Sequence, residues 1–174
     1  MRLTRLELRN WRNFARVDVP LSPRTFVYGP NASGKSNFLD VFRFLRDIAR
    51  EEGGLQRAVG DRNGFGAIRS LHAHGRQQRI EIGVGCQLGG TEWRYFLAIN
   101  ADKTTKRAHV EEEQVQKNGA TVDVRPTPED KADAALLRET HLESLRANQR
   151  FRPLAEAFAG IAYMHIVPHV VKYP

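Results

Sequence analysis

The chain has 174 residues, enough for one domain with a real core. One cysteine, Cys86, excludes an internal disulfide, and no apolar run approaches membrane-spanning length. A formal charge of +7 suits an anionic partner, nucleotide or nucleic acid, though its arginines are scattered and equally fit an ordinary basic surface. These features predict a soluble cytoplasmic protein with no membrane partner.

Arg2–Arg9 sets Leu3, Leu6 and Leu8 among polar residues and predicts a strand. Phe14–Val19 alternates Phe14, Val17 and Val19 as its hairpin partner across Asn10–Asn13. Arg24–Tyr28 reads as a short strand. From Lys35 to Arg50, Phe38, Val41, Phe42, Leu45 and Ile48 fall at helical spacing and predict a helix with its apolar face in the core. Glu51–Gly75 is rich in glycine and charge, so residues 51–77 read as a long, partly mobile connection with one short helix near Leu55–Val59. Gln78–Gln87, Glu92–Asn100 and Arg107–Lys117 predict strands. Gly89-Gly90 joins the first two, and Asn118-Gly119 turns the third into Thr121–Arg125. The result is an antiparallel meander over residues 78–125. Thr127-Pro128-Glu129-Asp130 starts a predicted helix that runs to Asn148, since a cap, an early proline and acids suit a helix N-terminus. Pro153–Phe158 predicts a short helix. Ile161–Val167 is apolar on both faces and predicts a buried inner strand ended by Pro168. The chain divides as residues 1–50, 51–77, 78–125 and 126–174 within one lobe.

The chemistry sits at Gly29-Pro30-Asn31-Ala32-Ser33-Gly34-Lys35-Ser36, which fits G-x-x-x-x-G-K-[ST], the phosphate-binding (Walker A) loop of nucleoside triphosphatases. Gly29 and Gly34 can take backbone angles that turn loop amides inward. Those amides and the positive end of the following helix dipole bind an anion. Lys35 reaches the β- and γ-phosphates as a point charge, and is the one residue assigned a catalytic role. Ser36 offers its hydroxyl to Mg²⁺, and Asn37 can donate to the α-phosphate. ATP and Mg²⁺ are therefore the expected cofactors. His72 and His74 are too few for a zinc site, and Cys86 has no nucleophile partner by spacing.

Leu6-x-Leu8-x-Asn10-Trp11-Arg12-Asn13-Phe14, followed by the loop and Asn37, resembles the SMC/RecF-type branch of ABC ATPases, including its overcoming-lysogenization-defect relatives. The match is specific over residues 1–48; beyond that it rests on the order of elements. The resemblance implies an α/β P-loop NTPase fold, an ABC-ATPase-like half head carrying an antiparallel β-subdomain. It implies that Arg12 lies near the nucleotide phosphates, and that ATP binds between two subunits. A homodimer, or pairing with a C-terminal half, is the implied assembly, with DNA as a further partner. No apolar run leads into Asp-Glu, and Gln87-Leu88-Gly89-Gly90 lies in a hairpin turn and is not read as the family's signature. His169 stands where the family places a glutamine near Mg²⁺, with Gln77 and Gln78 as lesser candidates. The expected function is Mg-ATP binding by an N-terminal lobe, with hydrolysis in the complete dimerised protein. The alternative is a non-hydrolysing nucleotide-binding or DNA-associated interaction module. A nucleotide kinase or GTPase fits less well, because an antiparallel meander follows the loop and no Asn-Lys-x-Asp element is present.

Overall fold

In a computed structural model, residues 1–71, 73 and 78–164 are described. Six strands form one sheet: β1 (Arg2–Trp11), β2 (Phe14–Pro20), β3 (Ile80–Leu88), β4 (Thr91–Ala101), β5 (Ala108–Lys117) and β6 (Ala120–Arg125). Their spatial order is β2-β1-β3-β4-β5-β6, and every pairing is antiparallel. The hairpins form where the sequence predicts them. Gly89 and Gly90 have φ of 57° and 79°, and Asn118 and Gly119 have 49° and 79°. Two consecutive left-handed residues are what a two-residue hairpin on twisted strands requires.

One sheet face carries Leu6 and Leu8 from β1, Ile80, Ile82 and Val84 from β3, and Trp93, Tyr95, Leu97 and Ile99 from β4, all buried. Against it lies α1 (Lys35–Ala49), which buries Val41, Phe44, Leu45 and Ile48. α5 (Arg152–Ala159) packs on α1 and sends Phe158 edge-on to Tyr95, with ring centroids 5.7 Å apart. Full burial of each such side chain is worth roughly 1.5–3 kcal/mol, so this shared face is the main source of stability.

Three expectations need correction. Arg24–Tyr28 is not a strand: Phe26 is 79% and Tyr28 93% exposed, and Phe26–Tyr28 make no main-chain hydrogen bond among the described residues. A strand is a property of a pair. β1 already has β2 on one side and β3 on the other, so it offers this segment no free edge, and the segment pairs with no other strand of the sheet. The glycine-rich connection carries the short helix expected near Leu55–Val59 and more besides over residues 51–71. It holds α2 (Leu55–Gly60) and α3 (Phe65–Ile68), with Leu55, Ala58, Val59, Phe65 and Ile68 in the core. Its glycines serve as turns, Gly54 at φ 107° and Gly64 at φ 88°.

The long helix expected from Thr127 is the third. α4 covers only Pro128–Ala132, with Thr127 and Asp130 capping it reciprocally, and short 3-10 turns follow at Ala134–Arg138 and Ala147–Arg150. Side-chain carboxylates take the amides a helix would need. Buried Glu113 accepts from His141 N (2.7 Å), Leu142 N (3.1 Å) and the Tyr95 hydroxyl (2.9 Å). Glu143 accepts from Thr140 N (2.6 Å) and Leu55 N (3.1 Å), pinning the same segment to α2. Residues 161–164 form no strand. The remainder of the predicted terminal strand, with His165, Ile166, Val167, Pro168 and His169, lies outside the described residues, as do His72, His74 and Gln77.

Burial pushes the Glu113 carboxyl above its usual range despite its donors. Glu113→Ala would leave the Tyr95 hydroxyl and two buried amides unpaired, beside Arg125 at 3.7 Å. It should cost about 3 kcal/mol or more. Glu112→Ala, which loses a half-exposed contact with Arg79 at 3.6 Å, should cost less than about 1 kcal/mol. Urea midpoints compare the two, and equal shifts would contradict the hub role of Glu113.

Candidate functional site

Trp11 ends β1 and fixes the start of α1. Its ring lies 5.1 Å from that of Phe44, and its Nε1 donates to Asn37 O at 2.8 Å. On the other flank of Arg12, Asn13 Nδ2 donates to Ser33 O (3.4 Å) and Asn13 Oδ1 accepts from Asn37 Nδ2 (2.9 Å). The end of β1 and the turn after it thus hold both the loop and the first turn of α1.

Gly34 is the N-cap residue of α1 in the left-handed region, φ 98°, and a Cβ there would run into the Asn13 side chain. Glycine is required on both counts. A Cβ on Gly29 would meet Ser33 Oγ at 2.9 Å. The first helical bond is Phe38 N to Gly34 O at 2.8 Å, no side chain caps the helix, and no acid stands in its first turn. The amides of Lys35, Ser36 and Asn37 therefore point out of the helix without an intrahelical acceptor, at its positive end. Lys35 Nζ donates to Gly29 O (2.9 Å) and Pro30 O (2.7 Å), bridging the loop onto its own carbonyls. Phe14, Tyr28, Pro30, Ser33, Lys35 and Phe38 line a cleft of about 300 Å³ over this loop.

The loop residues are exposed except Gly34 and Lys35. Ser36 is exposed, and its hydroxyl has no hydrogen bond among the described residues. The Asn37 side-chain amide donates to Asn13. Arg12 takes a different direction. Its Nη2 lies 2.6 Å from Asp40 Oδ2, in a separate cleft of about 730 Å³. Asp40 is 8% exposed and also receives Arg62, Nε to Oδ2 and Nη2 to Oδ1, both at 3.0 Å. Arg62 Nη2 continues to Asp47 Oδ2 at 3.0 Å. Sequence reasoning missed Asp40 and Arg62. Asp40 stands four residues after Ser36 on one helix flank, a signal that was available; Arg62 lies in the glycine-rich connection and gave none.

Gln87-Leu88-Gly89-Gly90 forms the β3–β4 turn, as its glycines require. Gln78 is exposed and accepts from Arg69 Nη1 at 2.7 Å. Cys86 is buried, which raises its thiol to about 11. Among the described residues no group of three or more histidine, cysteine or carboxylate side chains could hold a metal ion. Also among them, no helix is long and apolar enough to cross a membrane.

Residues 24–163 match the family described as "AAA domain, putative AbiEii toxin, Type IV TA system". The chain belongs to this AAA-domain family. Curated relatives of the AAA domain include the DNA replication and repair protein RecF of Roseiflexus castenholzii, 41% identical over 34% of this chain and 15% of its own. RecF of Gloeobacter violaceus is 33% identical over 64% and 28%. The endonuclease GajA of Bacillus cereus is 28% identical over 53% and 14%. The matched stretch thus spans well under a third of each of these relatives. A solved chain from work on "ATP-driven dimerization and DNA stimulated activation of SMC ATPases" overlays 99% of this chain and 96% of its own, at TM-score 0.41 and 14% identity. The RecF likeness agrees with the SMC/RecF-type resemblance; the narrower overcoming-lysogenization-defect grouping stays a resemblance of the sequence.

Burial alone would raise the Asp40 carboxyl, but the hydrogen bonds from Arg62 and Arg12 outweigh it and hold the group below its ordinary 3.8. A carboxyl lowered by folding stabilises the AAA domain fully above about pH 4, and that contribution is lost as pH falls through the folded value. Urea midpoints measured from about pH 5 to about pH 2.5 should therefore fall more steeply in the wild type than in Asp40→Asn. Parallel curves would contradict the ion-pair assignment.

Proposed function

We propose that the chain binds Mg-ATP through Gly29–Ser36, as one lobe of an SMC/RecF-type ATPase. The observation that carries this reading is the start of α1: three outward amides, no acid in the first turn and no capping side chain, behind a loop with glycine at both ends. Family membership supports it. In the proposal the amides of the loop residues from Asn31 to Ser33, with those of Gly34, Lys35, Ser36 and Asn37, surround the β-phosphate, while Pro30, which has no N–H, shapes the turn. Lys35 leaves the Gly29 and Pro30 carbonyls for the β- and γ-phosphates. Arg12 reaches the terminal phosphate. Ser36 is one ligand of Mg²⁺, which draws its others from phosphates and water and neutralises charge on the β- and γ-oxygens.

Isothermal calorimetry with Mg-ATP tests the reading. Binding should be measurable in the wild type and at least about ten-fold weaker in Lys35→Ala, which loses a charge-assisted contact of roughly 1.5–3 kcal/mol. Equal affinity would overturn the assignment. Among the described residues no group of three or more histidine, cysteine or carboxylate side chains could hold a metal ion, and Asp40, the carboxylate one turn beyond Ser36, is taken up by Arg12 and Arg62. Hydrolysis is accordingly assigned to a complete, dimerised assembly, in a cytoplasmic setting consistent with the lone buried thiol. The arginines of the cleft of about 730 Å³ lie against Asp40 and Asp47, which they outnumber, and their engagement by protein carboxylates does not by itself favour a DNA-binding reading.

Assembly has separate support. The unpaired backbone of Phe26–Tyr28 borders an apolar groove of about 840 Å³ lined by Leu3, Leu21, Val27, Leu39, Phe42 and Ile161. A second polypeptide surface that supplies a strand would cover both. Light scattering should show concentration-dependent association, reduced by Leu39→Asp. A wild type that stays monomeric at high concentration would sink the assembly proposal.

A further inference from the structure

Two carboxylates on α1 gather more guanidinium than they can neutralise. Asp40 has Arg12 at 2.6 Å, Arg62 at 3.0 Å and Arg43 at 3.8 Å. Asp47 has Arg46 at 2.8 Å, Arg62 at 3.0 Å and Arg50 at 3.7 Å. Within this cluster Arg62 is fixed. Its side chain is 6% exposed, it uses both Asp40 oxygens, and its Nη1 donates to Ala58 O at 2.9 Å. Its guanidinium also lies 5.2 Å from the centre of the Phe44 ring. Arg12 is held less completely. Its side chain is 23% exposed, and its guanidinium contacts are one Asp40 oxygen and the ring of neighbouring Trp11.

Arg12 can therefore leave without orphaning Asp40, which keeps two bonds from Arg62. It also starts beside the phosphate loop, because Trp11 and Asn13 on its two sides bond Asn37 and Ser33. Asp40 lies one helical turn beyond Ser36, so the guanidinium would travel about 5–6 Å, within the reach of a pivoting arginine. An anion at the terminal phosphate position competes with Asp40 for the same cation.

We propose that Arg12 is a two-position residue, parked on Asp40 when the site is empty and on the terminal phosphate when it is filled. Asp40 and Arg62 are positioning residues that set how readily it moves. This rests on the nucleotide reading above and adds a regulation to that site. The side chain parked on Asp40 is missing from the phosphates, so the strength of the Asp40 contact lowers triphosphate affinity. ADP, which lacks the terminal phosphate, is indifferent to it. Movement of Arg12 also signals outward, because Asp40 is shared with Arg62 and so with the connection that carries α2 and α3.

Equilibrium titration of the full chain with fluorescent ATP and ADP analogues in Mg²⁺ tests this. Asp40→Asn removes the competing anion and should tighten ATP about five-fold or more, leaving ADP unchanged. Arg62→Lys breaks the fork on Asp40, leaves that carboxylate more dependent on Arg12, and should weaken ATP by a similar factor. Arg12→Ala should remove the preference for ATP over ADP, and both other substitutions should be silent in its background. Opposite signs distinguish a positioning role from simple destabilisation, which would weaken both nucleotides in every variant. That uniform weakening, or no shift while Lys35→Ala still weakens binding as expected, would overturn the proposal. Should Asp40→Asn not fold, Arg62→Lys with and without Arg12→Ala decides the matter alone. Wild type and Lys35→Ala binding alike would instead reject the nucleotide reading, and this proposal with it.

Discussion

The indole of Trp11 is the contact through which the sheet holds the phosphate loop. Its ring is fully buried against Phe44 of α1, and its N–H reaches the Asn37 carbonyl in the first turn of that helix. Its backbone bridges Arg69, while the flanking Asn10 O and Arg12 N bond Ser70 N and Ile68 O. One residue therefore ties together β1, the start of α1 and the end of the connection. An aromatic ring suits the task because it fills a large volume and still offers one directed donor. Losing it would remove core packing and release the first turn of α1 together, so stability and site geometry share a single anchor here.

The same principle explains where the backbone is strained. Among the described residues, three of the six non-glycine residues with left-handed φ stand at or beside the loop, Asn10 (55°), Arg12 (50°) and Ala32 (63°), where Gly34 also has φ 98°; Asn63, Lys106 and Asn118 lie elsewhere. A non-glycine residue there costs on the order of 1 kcal/mol or more. Such angles persist only when surrounding contacts over-determine them. Trp11, Asn13 and Asn37 supply those contacts. The strain is thus borne by the folded core, and at the proposed nucleotide site a phosphate would meet amides already turned outward.

How much of this could be read in advance depends on how local each cause is. The loop, α1, the β-meander and its two hairpin turns were readable because glycine, Asn-Gly and apolar spacing act within a few residues. Arg24–Tyr28 reads as a strand from its own side chains, yet strand formation is decided by neighbours that β1 does not offer. The helix expected through Asn148 has good local credentials. It is broken by Glu113, a residue 28 positions before His141, whose carboxylate captures two of its amides. No window of sequence around residue 141 contains that competitor.

The ion pairs around Asp40 show the same limit at the site itself. Arg12 is singled out in the sequence by its resemblance to a phosphate-contacting residue, while the fold places its guanidinium on a carboxylate. The two placements are compatible because Asp40 is satisfied twice over. A buried carboxylate held by one arginine would lock that arginine, since leaving would strand a charge at a cost of several kcal/mol. A second, fully committed arginine removes most of that penalty. In the proposed exchange Arg62 is thus what would free Arg12, and a mobile cation beside the proposed phosphate loop would depend on a residue far from the loop in sequence and outside its motif.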